Sequence, residues 1–338
     1  MRAIGYTQSL PIDDPRSLVD FEQDTPTPGG RDLLVEVKAV SVNPVDTKIR
    51  KRRADPDGAW QVLGWDAAGV VSAVGPEVTK FAVGDAVFYA GSIDRPGTNG
   101  EYHLVDERIV GAKPQTLGWA EAAAMPLTAI TAWEALFDRL DVRKPVPGTT
   151  PAILIVGGAG GVGSIAIQLA RRLTDLTVIA TASRPETRDW ALDLGAHHVI
   201  DHSKPMAEQI EALGVGAPGF VFSTTHTDTH LPEIVKLIAP QGRLALIDDP
   251  ANGLDIMPLK QKAVSVHWEL MFTRPVFQTA DMGEQGKLLG EVSDLVDAGT
   301  LRTTLAETYG TINAENLRRA HALIESHKAK GKIVLEGW

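Results

Sequence analysis

The chain has 338 residues, a net charge of −10 and no cysteine, and its length allows two domains, each with its own core. The missing cysteines exclude disulfides, thiolate nucleophiles and every zinc site that needs a Cys ligand. With a pI near 5.4 the molecule repels nucleic acid and anionic membrane in bulk, so a small-molecule partner is the expectation.

The N-terminal MRAIGYTQSLPIDDP has neither a basic start nor an apolar core, and the glycines from Gly157 to Gly163 interrupt the longest apolar run. No signal peptide and no membrane span are expected, and a cytoplasmic location follows as an expectation. The first third reads as β. LLVEVKAVSV (Leu33–Val42) alternates, and GVVSAVG, GDAVFYA and EYHLV are short strands punctuated by Gly and Pro, the pattern of a barrel or sandwich. From Trp119 a helical stretch begins, with Pro126 marking a break or a new first turn.

Beyond the linker KPVPGTTP the pattern becomes strand, helix, strand. Ile153–Val156 is a short, continuously apolar strand, and Val162, Ile165, Ala166, Leu169 and Leu173 share one helical face. LTVIATA, HHVI, GFVFST and RLALID follow as buried strands with helices between them, which implies a doubly wound parallel sheet covered on both faces. The tail adds AVSVHWEL, two helical segments and a closing strand, KIVLEG.

Gly158, Gly160 and Gly163 have the G-x-G-x-x-G spacing, between a buried strand and an amphipathic helix. The first permits a tight turn, the second lets backbone approach a pyrophosphate, and the third allows close helix–strand packing. With Ala159, Gly161 and Val162 they form the expected dinucleotide loop; a bare Gly-rich turn is the alternative. An NAD site wants an acid at the end of the second strand. Here the strand ends in Thr181, Ala182, Ser183 and Arg184, with Arg188 a turn later. A hydroxyl and a guanidinium suit a 2′-phosphate, so NADPH is the expected cofactor; solvated helix-start arginines are the alternative.

The segments SVNPVDTKIR, LGWDAAGVVSAVG, FAVGDAVFYAG, AAAMPLTAITAWEALF and GGAGGVGSIAIQLA resemble, in order, the medium-chain dehydrogenase/reductase superfamily. They are most similar to its quinone oxidoreductase branch, and the later segments to a bacterial subfamily labelled zinc-type alcohol dehydrogenase-like. The resemblance implies a GroES-like β-barrel catalytic domain over residues 1–125 and 298–338. A Rossmann domain would occupy 126–297, and the whole would form a homodimer, through edge pairing of AVSVHWEL. It implies Asn43 and Thr131 as donors beside the nicotinamide and substrate, with a turn residue before Pro44 as the alternative for Asn43, and Asp46 either in a secondary catalytic role or as the N-cap of DTKIRKR. Trp65 and Trp60 would wall the substrate pocket or fill the barrel core. Thr224, His202 and Lys332 would join the cofactor site, the last two at its phosphates, with a surface role for Lys332 as the alternative.

Zinc alcohol dehydrogenases have a Cys where this chain has Asn43, and Gly-His-Glu where it has Gly64-Trp65-Asp66. One carboxylate does not hold a catalytic zinc, and His226 with His230 lacks an evident third ligand, so metal-free catalysis is expected. Many quinone oxidoreductases place a Tyr just beyond the NPVD segment; RKRRADPDGAW has none. A hydroquinone anion takes its proton from water, whereas a ketone's alkoxide is far more basic, so quinones or activated enones are the expected acceptors. The basic run Lys48, Arg50, Lys51, Arg52 and Arg53 reads as a solvated face or as a lure for acidic ligands. A nucleotide- or RNA-binding protein with little turnover is the competing class.

Overall fold

The computed structural model describes residues 1–251 and 253–338. They divide into two compact units, residues 1–130 with 272–338, and residues 131–271. The segment 272–297, expected with the cofactor domain, belongs to the first unit. Its helix Glu284–Asp297 packs on the strand Val110–Ala112, where glycines let backbone approach closely: a Cβ on Gly286 would lie 2.5 Å from the carbonyl oxygen of Arg108, and one on Gly111 2.6 Å from Leu289.

The first unit is built around one long strand, Asp32–Val42. It pairs antiparallel with Ala67–Val74, Tyr102–Asp106 and the C-terminal Lys332–Glu336. Ala86–Tyr89 and Val110–Ala112 continue the sheet on one side, and Leu305–Thr308 lies parallel to the C-terminal strand on the other. A second sheet joins Val19–Glu22, Arg2–Tyr6 and Gln61–Val62. Leu33, Val35, Val37, Val71, Val87, Phe88 and Leu335 fill the interior. The expected strands of the first third are all present. Pro126 opens a new helix, Pro126–Trp133, as its fixed φ permits at a first turn.

The second unit is a six-stranded parallel sheet. In space its strands run His198–Ile200, Thr177–Thr181, Thr150–Val156, Pro218–Ser223, Arg243–Leu246 and Ser265–Trp268. By chain order that is 3-2-1-4-5-6, the doubly wound nucleotide-binding arrangement, with its switch point between the first and fourth strands. Gly161–Leu173 is more buried than its stripe requires: every residue from Gly163 to Ala170 is covered. Ser265–Trp268 lies at the sheet's edge, with Trp268 and Leu270 exposed.

Candidate active site

Within the first unit, three adjoining strand ends place three polar side chains together. Ile333 pairs with Val42 and Ala67 with Val40, so Lys332, Asn43 and Asp66 adjoin just beyond the paired residues. The Lys332 ammonium donates to Asp66 Oδ2 at 3.0 Å, to the Val42 carbonyl at 3.1 Å and to Asn43 Oδ1. Asn43 Nδ2 donates to Asp66 Oδ2 at 2.9 Å and to the Ser41 carbonyl at 3.4 Å. The Leu127 amide donates to Asp66 Oδ1 at 2.8 Å. Lys332 is 3 % exposed and Asp66 fully buried. Desolvation pushes the Asp66 carboxyl above its ordinary range, with Lys332 and Asn43 opposing the rise.

This geometry corrects three expectations. Lys332 is not a phosphate ligand, because all three of its ammonium hydrogens are committed inside the unit. Asn43 turns inward, with both amide hydrogens on protein oxygens. Asp46 is not an N-cap: Asn43 holds that position and Pro44 is the first residue of the helix Pro44–Arg52. Asp46 Oδ2 instead accepts the Asn43 amide at 2.5 Å. Burial, offset in part by that bond and by Lys332, pushes the Asp46 carboxyl up to about 7.

Trp65 and Trp60 both line a cleft of 210 Å³ that also includes Tyr6, Arg53, Leu63 and Arg95. Trp65 is buried, with its Nε1 donating to the Ser92 carbonyl at 3.0 Å and its ring edge-on to Phe272. Trp60 stacks on Phe21 at 4.2 Å and remains 44 % exposed. Sequence reasoning missed Tyr6, although it ends a strand whose residues Ala3 to Tyr6 are all buried. Its hydroxyl donates to the Arg53 carbonyl at 2.5 Å, and burial pushes it up to about 12, so it keeps its proton. The basic run is not a uniform solvated face. Arg50 is fully buried, bonded to the Leu10 carbonyl and paired with Glu325, which Lys51 also meets at 3.0 Å. Arg53 donates to the Ile93 carbonyl at 3.0 Å.

The second unit begins at Thr131, which is buried in the last turn of Pro126–Trp133. The glycine loop is a tight turn packed closely on the neighbouring strand. Gly157 adopts φ +80, and the Gly158 amide donates to the Thr181 carbonyl at 3.0 Å. A Cβ on Gly158 would meet Ala180 at 2.8 Å, and one on Gly163 would meet the Gly157 carbonyl oxygen at 2.3 Å. At Gly160, the helix N-cap, the nearest atom to such a Cβ is 3.5 Å away, so that face is open to a ligand. Ala159 completes the turn, and Gly161 and Val162 begin the helix, whose first amides lack intrahelical partners and favour an anion.

Thr224 and His202 lie beside this loop, and Ser183, Arg184 and Arg188 follow the end of the second strand. Thr224, just past the fourth strand, donates its hydroxyl to the Val156 carbonyl at 2.8 Å across the switch point. His202 Nδ1 lies 3.0 Å from Thr181 Oγ1. Ser183 is exposed, and Arg184 precedes the helix Pro185–Asp193 with an ion pair to Glu186 at 2.9 Å. A solvent-exposed pair of that kind is worth little. Arg188 is exposed on the same helix. His226 and His230 belong to no group of three or more metal-capable side chains among the described residues.

Residues 29–134 match the model of the alcohol dehydrogenase GroES-like domain, and residues 194–335 that of the zinc-binding dehydrogenase. A zinc-type alcohol dehydrogenase-like protein of Staphylococcus aureus is 39 % identical over 99 % of each chain. A 2-methylene-furan-3-one reductase of Solanum lycopersicum is 34 % identical over 99 % of this chain and 79 % of its own. A quinone oxidoreductase of Pseudomonas aeruginosa is 31 % identical over 91 % and 92 %. Among solved structures, one from Rhizobium etli that bears the name of a zinc-dependent alcohol dehydrogenase is 69 % identical. It superposes with a TM-score of 0.98 over 100 % of this chain and 98 % of that one. Taken with the parallel sheet, the glycine loop and the strand-end cluster, these matches make the chain an oxidoreductase of the medium-chain dehydrogenase/reductase superfamily.

Proposed function

We propose that the protein is a zinc-independent, NADPH-dependent reductase of quinones. The observation that carries the zinc-free part is the ammonium of Lys332 on Asp66 and Asn43. These two side chains stand where zinc relatives carry ligands. Asp66 accepts bonds from an ammonium and two amide nitrogens, and Asn43 offers its carbonyl oxygen to the same ammonium. A divalent cation would have to displace a buried lysine to gain one carboxylate and one amide oxygen. That donor set does not fit zinc, which prefers three side-chain ligands and an open position in catalytic sites.

The cofactor's chemistry is hydride donation from the reduced nicotinamide. The chain's residues supply binding and electrostatics. The helix start at Gly161 and the open face of Gly160 would hold the pyrophosphate, and Ser183 with Arg184 and Arg188 the 2′-phosphate. The cleft of Trp60 and Trp65 offers aromatic faces to a planar acceptor. Thr131 is proposed as a hydrogen-bond donor to charge that builds on the reduced oxygen. Asn43, with its amide hydrogens turned inward, orders the wall of the site rather than donating directly. Quinones suit a metal-free site, because their reduced oxygen is a weak base that takes its proton from water.

A second reading, reduction of activated enones, is favoured by the tomato relative, which is 34 % identical against 31 % for the quinone oxidoreductase. A homodimer built through the exposed edge Ser265–Trp268 is part of the same proposal. The deciding experiment is NADPH oxidation with an ortho-quinone and with an exocyclic enone, each with and without a strong chelator, and with NADH run in parallel. Turnover of the quinone that prefers NADPH and ignores the chelator is expected. Turnover of the enone alone would replace the substrate class. Loss of activity to the chelator would overturn the zinc-free assignment. Tight NADPH binding without turnover would point to a binding protein.

A further inference from the structure

Two guanidiniums, Arg53 and Arg95, line the cleft of Trp60 and Trp65 in the first unit, together with one carboxylate, Asp94. Arg95 is committed: its Nη1 and Nη2 donate to the two oxygens of Asp32 at 2.8 and 2.9 Å. Asp94 accepts the Ser92 hydroxyl and forms no ion pair with Arg53. Arg53 meets no carboxylate among the described residues, and its side chain gives one bond, from Nη1 to the Ile93 carbonyl at 3.0 Å. Its backbone is fixed on both sides. The amide caps the helix Pro44–Arg52 by donating to the Ile49 carbonyl at 2.8 Å, and the carbonyl accepts the Tyr6 hydroxyl. Arg53 thus presents its remaining N–H groups from an anchored position. Its charge reaches the cleft: against the larger effect of burial, Arg53 and then Arg50 pull the Tyr6 hydroxyl down, although Arg50 is itself paired with Glu325.

We propose that this cleft selects a planar acceptor that carries an acidic substituent, with the ring on Trp60 and the carboxylate or sulfonate on Arg53. The proposal rests on the reading of the cleft as the acceptor site. With a net charge of −10 the chain repels an anion in bulk, so an acidic ligand needs a local cation. A guanidinium suits the task because its N–H fork matches the two oxygens of a carboxylate. Arg53 is the cleft's guanidinium that the protein's own acids leave uncompensated. Trp60 supplies the second half of the site. Phe21 stacks on it at 4.2 Å with the planes 8° apart, which holds the indole as a fixed platform that is still 44 % exposed. The cleft measures 210 Å³, below the roughly 300–1,000 Å³ of pockets for drug-sized ligands, so it fits one or two rings rather than a long chain.

Titration calorimetry separates recognition of the anion from turnover. The probes are 2-naphthoate and its neutral counterpart 2-naphthamide, on the unaltered chain and on R53Q, R53K and W60A. Thermal unfolding of each variant establishes that it is folded. The expected result is naphthoate bound about tenfold more tightly than the amide, as one charge-assisted contact supplies. That preference shrinks with added salt. It is lost in R53Q and returns in part in R53K, whose ammonium keeps the charge without the fork. W60A weakens both ligands alike. Turnover is then compared for 1,4-naphthoquinone-2-sulfonate and 2-methyl-1,4-naphthoquinone with NADPH. The ratio of their kcat/KM values should fall about tenfold in R53Q, through the KM of the sulfonate; comparing ratios cancels the sulfonate's own effect on quinone reactivity. No preference for naphthoate, a preference undiminished in folded R53Q, or affinities unchanged in W60A would overturn the proposal. Arg53-dependent binding of naphthoate with neither quinone reduced would leave the anion site standing and overturn the reading of the protein as a quinone reductase.

Discussion

Replacing Lys332 with Met tests the polar cluster most directly. The substitution conserves length and approximate volume but removes an ammonium 3.0 Å from Asp66 Oδ2, at a position only 3 % exposed. At an effective dielectric of about 20, two unit charges at that separation attract by about 5–6 kcal/mol. Stranding one partner of a buried pair is destabilising by about 3–5 kcal/mol. The loss should appear in urea unfolding at pH 7, and its pH dependence identifies the cause. Asp66 already sits above the ordinary carboxylate range because of burial, and Lys332 is the largest opposing influence. Without the lysine the carboxyl rises further. A group whose folded pKa is raised favours the folded state at low pH and loses that contribution as pH increases. The variant's deficit should therefore shrink on acidification, as Asp66 takes up a proton. Adding Asp66→Asn should recover most of the loss, since no isolated charge is left in the interior. A deficit below about 1 kcal/mol at pH 7, unchanged with pH and not relieved by the second substitution, would refute the argument that the pair is a buried charge contact.

Other substitutions separate folding from function. Asp46, pushed up to about 7, contributes stability that is present below about pH 4 and lost as pH rises toward 7; D46N keeps an acceptor for the Asn43 amide and should flatten that part of the pH–stability profile measured by denaturant unfolding. Gly160→Ala places its methyl no nearer than 3.5 Å to any neighbour and needs no unusual φ, so its melting temperature should hold while its cofactor Kd, read by fluorescence titration, weakens about tenfold or more. Arg184→Ala removes one charge-assisted phosphate contact, worth about 1.5–3 kcal/mol, so the KM for NADPH should rise by about one to two orders of magnitude while that for NADH stays put.

The parallel sheet was legible in the sequence because its strands are buried on both faces, so each reads as a short apolar run between helical patterns. The glycine loop was legible because three steric demands fall at fixed spacing, and the contacts at Gly158 and Gly163 are the close approaches that spacing anticipates. Arg2–Tyr6, Val19–Glu22 and Leu305–Thr308 were not. The last two are only partly buried and so carry no clear apolar pattern, and glycine interrupts the apolar run of the first. The helix Glu284–Asp297 was legible as a helix but not as part of the first unit. Its docking depends on Gly286 and Gly111, and a glycine in a sequence does not say which backbone will come close. Lys332 shows the same limit in the candidate site. Composition and spacing present it as one basic residue in HKAKGKIVL, equally suited to a phosphate or to the surface. Its role is set by antiparallel pairing of Ile333 with Val42, a partner some 290 positions away, because that register puts the ammonium among Val42, Asn43 and Asp66. A shift of one residue would turn the side chain to the other face of the sheet. The zinc-position substitutions at Asn43 and Asp66 were visible individually, but that a cation of the chain's own sits between them follows only from the register.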